Sequence, residues 1–533
     1  MWPQSYTPLS GNLALSAVVA ALPIFTLLFL LAVARKPAWV SSLAGVGAAA
    51  IVALFAYRMP PMMVLSSALY GAAYGLLPIG WIVFTAILLY RLTLETGKFE
   101  IIKDSVASLT GDRRIQALLI AFAFGAFLEG AAGFGTPVAV AAAMLAGLGF
   151  EPFFAAALCL LANTSPVAFG SIGIPLVMLQ TVTGLQMMPI SADVGRICAP
   201  LAFFIPAYLM LVMGGVKALR AVWPAALVCG LTFAGTEFYV SNFIGPYLAA
   251  LLAAIVALCS LVVLLKYWKP AASEAATPHR HTHGNVVLAW VPYGMLVIFV
   301  LLWGVDGVKA WLDKATFVFD WPGLHNMVQR MQPVVAKPSP YAARYTLNLL
   351  SASGSACLFS VLASALILRA SPNVMWRCIC DTSRQLALPT VTIASVVSLA
   401  YLMNYSGATT TLGLVIAGTG SMFPFFSPLL GWLGVFLTGS DTSANALFGP
   451  LQVVTATRLG LNPVLMAAAN SGGGVVGKMI SLQSIAVAAA ATGMHRSEEG
   501  KLFRFTLRHS IFLALIIGLL TMFYAYVMPG WVR

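Results

Sequence analysis

The stretch Gly125-Ala126-Phe127-Leu128-Glu129-Gly130-Ala131-Ala132-Gly133-Phe134-Gly135-Thr136-Pro137 sets four glycines, a carboxylate and a proline inside an otherwise apolar run. Within lipid every backbone N–H and C=O needs a partner. Non-helical backbone therefore survives only where protein or a water-filled cavity surrounds it. Glycine admits unusual φ angles and close approach, and proline removes a donor. A helix break here frees polar groups that a small anion at a half-helix N-terminus would satisfy. Isolated glycines would read more simply as points of tight helix packing. Clustering favours the break.

The pattern recurs. Phe127-Leu128-Glu129-Gly130, Gly149-Phe150-Glu151-Pro152 and Asn163-Thr164-Ser165-Pro166 reappear as Phe436-Leu437-Thr438-Gly439, Gly460-Leu461-Asn462-Pro463 and Asn470-Ser471-Gly472-Gly473-Gly474. The landmarks shift by 309, 311 and 307 positions, so order and spacing nearly repeat. Matched polar breaks in corresponding apolar segments are the best sequence pointer to a transporter's binding site.

Of 533 residues, 60% are hydrophobic and 8% charged, and the mean hydropathy is +0.93. Soluble domains carry about 25% charged residues, so this chain could not cover a water-facing surface. Alternating ten-residue segments of a β-barrel are absent. The fold expected is an all-α polytopic membrane protein. It has about 12–14 transmembrane helices, each needing roughly 20 apolar residues, in two repeat halves with paired broken helices or re-entrant hairpins. The halves run 1–265 and 288–533, joined by a cytoplasmic linker at 266–287.

The net charge of +13 lies mainly in short loops, where it sets topology, so no nucleic-acid partner is implied. Arg35 and Lys36, then Lys98, Lys103, Arg113 and Arg114, then Arg369, Arg377 and Arg384 mark inner loops. Both termini and the segment 306–343 fall outside. Trp311, Phe317, Phe319 and Trp321 suggest an interfacial helix in that segment. The run Leu13 to Val33 reads as a retained first span. Seven cysteines show no disulfide framework, and Cys378-Ile379-Cys380 is too closely spaced for a metal or redox signature. His279, His281 and His283 read as a solvated linker, so no metal is expected. Asp193 and Glu237 lie near span ends and read as interfacial.

Glu129 and Asp441 sit within the breaks. A carboxylate near the membrane centre costs about 2.5–3.5 kcal/mol on insertion scales. Removing it from water favours its neutral form, which suits proton coupling; the structural alternative is pairing with Lys478 or capping a half-helix. Lys478 itself either neutralises an anionic substrate or snorkels to the interface. Asn163, Thr164, Ser165, Asn470 and Ser471 supply donors and acceptors sized for carboxylate and hydroxyl groups. Thr438, Ser440, Thr442 and Asn445 form a second polar cluster with Asp441. Gly130, Gly133, Gly135, Gly439, Gly472 and Gly473 are the expected hairpin glycines.

At these residues the sequence resembles the bacterial L-lactate permease family, whose members carry lactate and glycolate with protons. The stretches that carry the likeness are Gly125 to Gly135, Asn163-Thr164 with Pro166-Val167-Ala168-Phe169-Gly170, Gly173-Ile174-Pro175 and Ser241-Asn242-Phe243-Ile244-Gly245-Pro246. Gly431 to Ser443 and Gly477-Lys478-Met479-Ile480-Ser481 continue it. Leu482 departs from the family's usual proline before Gln483-Ser484-Ile485. The resemblance implies a cytoplasmic (inner) membrane symporter with no cofactor, whose partners are a small 2-hydroxymonocarboxylate, protons and the bilayer. It also implies, through the wider ion-transporter superfamily, that Asn163-Thr164 and Asn470-Ser471 are matched hairpin tips. A sodium-coupled symporter and a passive anion channel remain alternatives. A membrane-embedded enzyme lacks support, with no Gly-x-Ser-x-Gly elbow and no cofactor fingerprint.

Overall fold

A computed structural model describes residues 1–133, 136–270, 281–333, 335, 337–495 and 498–532. Among these, ten helices are long and apolar enough to cross a membrane, or up to twelve when two bent pairs each count as one span. The helix Met187–Phe243 is two rods, because Gly214, Gly215 and Val222 leave helical φ/ψ between them. Helix starts follow local chemistry. Pro61, Pro152, Pro372 and Pro463 occupy first turns, where a missing N–H is harmless. The side chains of Asn12, Ser371, Asn462 and Ser481 accept from the first free amides. Large apolar side chains such as Phe55 and Leu366 stay exposed on the outer surface, as contact with lipid requires.

The segment 306–343 departs from expectation. Among its described residues only Asp306–Leu312 and one short turn are helical, and short strands build a small β cap. Strand Phe317–Asp320 pairs antiparallel with Arg344–Leu347. Strand Val328–Arg330 pairs antiparallel with Ser339–Tyr341 and parallel with the N-terminal Trp2–Pro3. The aromatics select strands because they pack as a cluster: Trp321 and Tyr345 lie 5.5 Å apart, and Tyr70 is 5.2 Å from Trp321. Gln4 Nε2 donates to the carbonyls of Asn404 and Tyr405, which ties the cap to the helix Pro372–Ser406. Residues 271–280 of the linker 266–287, with His279, lie outside the described residues.

Two hairpins and two broken spans occupy the centre. The first hairpin rises through Arg113–Gln116, Ala117–Phe124 and Gly125–Ala131, then returns along Thr136–Gly147. Its foot is anchored by Asp112. Burial alone would raise that carboxyl, but the Arg114 guanidinium at 2.6 Å holds it below the usual carboxylate range. The first broken span, Pro152–Ala162 with Val167–Thr183, bends by 66°. The second hairpin is Phe423–Thr438 with Asp441–Leu459. The second broken span, Pro463–Ile480 with Leu482–Thr492, bends by 42°.

The second bend does not fall where the glycines suggest. Asn470, Ser471, Gly472 and Gly473 lie inside the continuous helix Pro463–Gly477, and the break comes at Lys478–Ser481. A Cβ on Gly473 would sit 1.8 Å from the Pro428 carbonyl oxygen, and one on Gly431 would sit 1.8 Å from that of Asn470. These glycines let two helices touch backbone to backbone. Gly472 meets Ile197, and Gly130 meets the Leu251 backbone within a helix, so both serve packing as well. Gly133 and Gly439 do mark turns, with φ of +57° and +73°. Gly135 lies outside the described residues. Gly473→Ala is therefore expected to destabilise the protein by about 3 kcal/mol, the upper range for overpacking. Gly235→Ala, which meets nothing within 4 Å, should be neutral or better. Thermal unfolding in detergent compares the two.

Candidate functional site

The kink at Gly170–Gly173 in the first broken span, the second bend and the second hairpin's turn line a cavity of about 600 Å³ counted with the open solvent at its mouth. On one side stand Glu129 and this kink at Gly170–Gly173, which lies beyond the 66° bend at 163–166. Ser171, Ile172 and Gly173 all take left-handed φ, at 46°, 59° and 72°. For the β-branched Ile172 this is a strained conformation, held only because its surroundings over-determine it. Ser171 Oγ donates to the Ala132 carbonyl at 3.0 Å, so the kink and the end of the first hairpin's rising helix are fastened together. Glu129 lies against Gly170, whose Cβ would meet Oε1 at 2.7 Å. Its other oxygen, Oε2, is buried without a hydrogen bond among the described residues.

The opposite side is the turn Gly439–Ser440 with the start of the helix Asp441–Leu459. Thr438 Oγ1 folds back to the Gly434 carbonyl at 2.7 Å. The Ser440 side chain caps the helix by accepting from Ser443 N–H. Lys478, at the second bend, donates from Nζ to the Gly439 carbonyl at 2.7 Å. Ser440, Asp441, Thr442 and Lys478 all face the cavity, with Gln483 from the following helix.

A buried chain of side chains holds Asp441. Ser471 Oγ donates to its Oδ2 at 2.6 Å, and Asn445 Nδ2 reaches the same oxygen at 3.4 Å. Asn470 Nδ2 donates to Asn445 Oδ1 at 2.9 Å, and Gln452 Nε2 to Asn470 Oδ1 at 3.1 Å. Asn445 also donates to the Pro175 carbonyl at 3.1 Å, so the network binds the two broken spans and the second hairpin into one body. A network satisfied this fully rigidifies its surroundings. Only Oδ1 of Asp441 lacks a hydrogen bond among the described residues.

The structure thus gathers Glu129, Asp441, Ser440, Thr442 and Lys478 around one space. Asn445, Asn470 and Ser471 stand behind Asp441 rather than at a hairpin tip. Thr438 supports the turn. Asn163, Thr164 and Ser165 lie buried in the first bend: Thr164 Oγ1 donates to the Leu161 carbonyl at 2.7 Å. The Asn163 amide interacts with the Glu129 carboxyl, and the Ser165 hydroxyl makes no hydrogen bond among the described residues. Sequence reasoning missed Ser171, although the glycines bracketing it at 170 and 173 signalled a further kink in the first broken span. It also placed Asp193 and Glu237 at the interface, whereas both are fully buried. The two rods of Met187–Phe243 fold against each other, with Ser191 Oγ donating to the Ser241 carbonyl. Asp193 pairs with Arg196 at 2.8 Å.

Comparison with known proteins adds an independent observation. The sequence model of the L-lactate permease family matches residues 16–528. The L-lactate permease of Bacillus subtilis (strain 168) is 48% identical over 556 residues, covering 98% of each chain. Glycolate permease GlcA of Escherichia coli (strain K12) is 44% identical over 555 residues, covering 99% of each. Among solved structures, the Alcanivorax borkumensis YdaH transporter aligns with a TM-score of 0.45 at 14% identity over 88% of each chain.

Proposed function

This chain belongs to the L-lactate permease family, and from that premise we infer that it carries lactate or glycolate inward in symport with a proton. It is a multi-pass transporter of the bacterial cytoplasmic membrane and not an enzyme. In our reading the substrate carboxylate is drawn to Lys478 and to the amides that begin the helix Asp441–Leu459, where backbone donors favour an anion. Its hydroxyl meets Ser440, Thr442 or Ser171. Glu129 and Asp441 carry the coupling proton. Transport is alternating access between the halves 1–265 and 288–533, joined at 266–287.

The observation that carries this reading is the charge content of the cavity: two carboxylates and one ammonium. With both carboxylates ionised the site bears one net negative charge, which repels a second anion. Admitting one proton with each substrate anion leaves that charge unchanged. Proton and substrate then bind with reciprocal, positive coupling.

Proteoliposomes test it. An inward proton gradient in sodium-free buffer should accumulate labelled lactate and glycolate, and a sodium gradient alone should accumulate neither. Sodium-dependent accumulation would overturn the coupling ion. Flux that never rises above equilibration would mean a channel.

A further inference from the structure

A second, larger cavity of about 1120 Å³, also partly open, lies at the far end of the two helices that leave the central site. Gly170–Thr183 runs from Ser171 at the first cavity to Val182 and Thr183 at the second. Asp441–Leu459 runs from Thr442 to Thr457 and Arg458 in the same way. Between the nearest lining residues, Pro175 to Val182 on one helix and Thr442 to Pro450 on the other, roughly 10–12 Å of helix separates them at 1.5 Å per residue. The second cavity also touches Gln4 of the N-terminal segment and Arg330 and Tyr341 of the β cap. Loop charge assigns that face to the outside.

The lining is cationic. Arg330 and Arg458 contribute the only charges among its described residues, and neither is ion-paired to another described residue. The Arg330 guanidinium lies 5.0 Å from the Tyr341 ring centroid, and its buried Nε has no acceptor among the described residues. A buried donor left open in this way calls for an explanation. Asn404, Thr183, Thr409 and Thr410 add hydroxyl and amide groups beside the two guanidinium groups. Toward the central cavity the helices close on each other: a Cβ on Gly449 would lie 2.6 Å from Leu179 Cδ1 and 3.3 Å from Thr183 Cγ2.

We propose that this cavity is an antechamber in which Arg330 and Arg458 collect a small hydroxycarboxylate anion on the outer face before it passes between the two helices. Unpaired guanidinium groups in a concave wall focus the field and raise local anion concentration. Their planar forks match a carboxylate with two parallel hydrogen bonds. The seal at Gly449 and Leu179 separates this station from the central site, so the two are distinct. The proposal rests on the transport reading for the identity of its ligand.

Uptake of labelled lactate by the full-length protein in oriented proteoliposomes tests it. In R330Q/R458Q the half-saturating concentration for influx should rise about tenfold, with the maximal rate unchanged. Efflux measured from the inner face should keep its wild-type half-saturation. Raising ionic strength should weaken influx affinity in the wild type by screening and leave the double variant unmoved. R458K should recover part of the loss, and Arg458 is exposed, so R458Q folds as a further check. Unchanged influx affinity in the double variant, or a loss confined to the maximal rate, overturns the antechamber. Wild-type protein that takes up neither lactate nor glycolate overturns the transport reading instead.

Discussion

Glu129→Gln is expected to abolish accumulation driven by a proton gradient while leaving substrate exchange partly intact. Each pH unit across the membrane supplies about 1.4 kcal/mol per proton, so a two-unit gradient supports at most about a hundredfold accumulation by one-proton symport. In the variant that ratio should fall to about one. The substitution isolates the proton because glutamine has nearly the same shape. It can keep the contact over Gly170, where the wild-type carboxyl leaves no room even for a Cβ. What it removes is the ability of a buried, incompletely hydrogen-bonded oxygen to gain and lose a proton. Exchange needs only that the loaded site change sides, and a permanently neutral residue permits that. Undiminished accumulation by the variant, with normal thermal stability, would take Glu129 out of the mechanism and leave Asp441 as the carrier.

The first hairpin and its neighbouring bend were legible because nothing else explains a carboxylate, clustered glycines and a proline inside an apolar run. The second bend was displaced by about two turns for a physical reason. A glycine run permits a break and also permits backbone contact, and the choice depends on a partner helix far away in sequence. Here Pro428 and Gly431 make it, and no local pattern announces them. Lys478 and Ser481, which the family motif did contain, turned out to carry the bend. The β cap was partly readable, since Phe317, Phe319 and Trp321 alternate at the period of a strand. Glu237 and Asp193 misled because nearness to a span's end fixes depth along one axis only. Lateral burial comes from the folding of the two rods of Met187–Phe243 onto each other and their neighbours.

Lys478→Gln should lower the maximal transport rate by a hundredfold or more. Lys478 is the one cation lining the central cavity among the described residues, and its ammonium also satisfies the Gly439 carbonyl. Removing one member of a desolvated charge set leaves the others uncompensated, at about 3–5 kcal/mol. With Glu129 and Asp441 both ionised, the cavity then carries two net negative charges in place of one, and the substrate anion would add a third. Adding Asp441→Asn restores the original count. It preserves the side chain's volume and leaves an oxygen to accept from Ser471 Oγ. The double variant should therefore bind lactate more tightly than Lys478→Gln alone, although coupling stays impaired. Groups that act through a shared charge are non-additive in this way, and a double-mutant cycle measures it directly. Losses that simply add would mean that Lys478 and Asp441 do not share one electrostatic site, and the proton-compensation argument would fall with them.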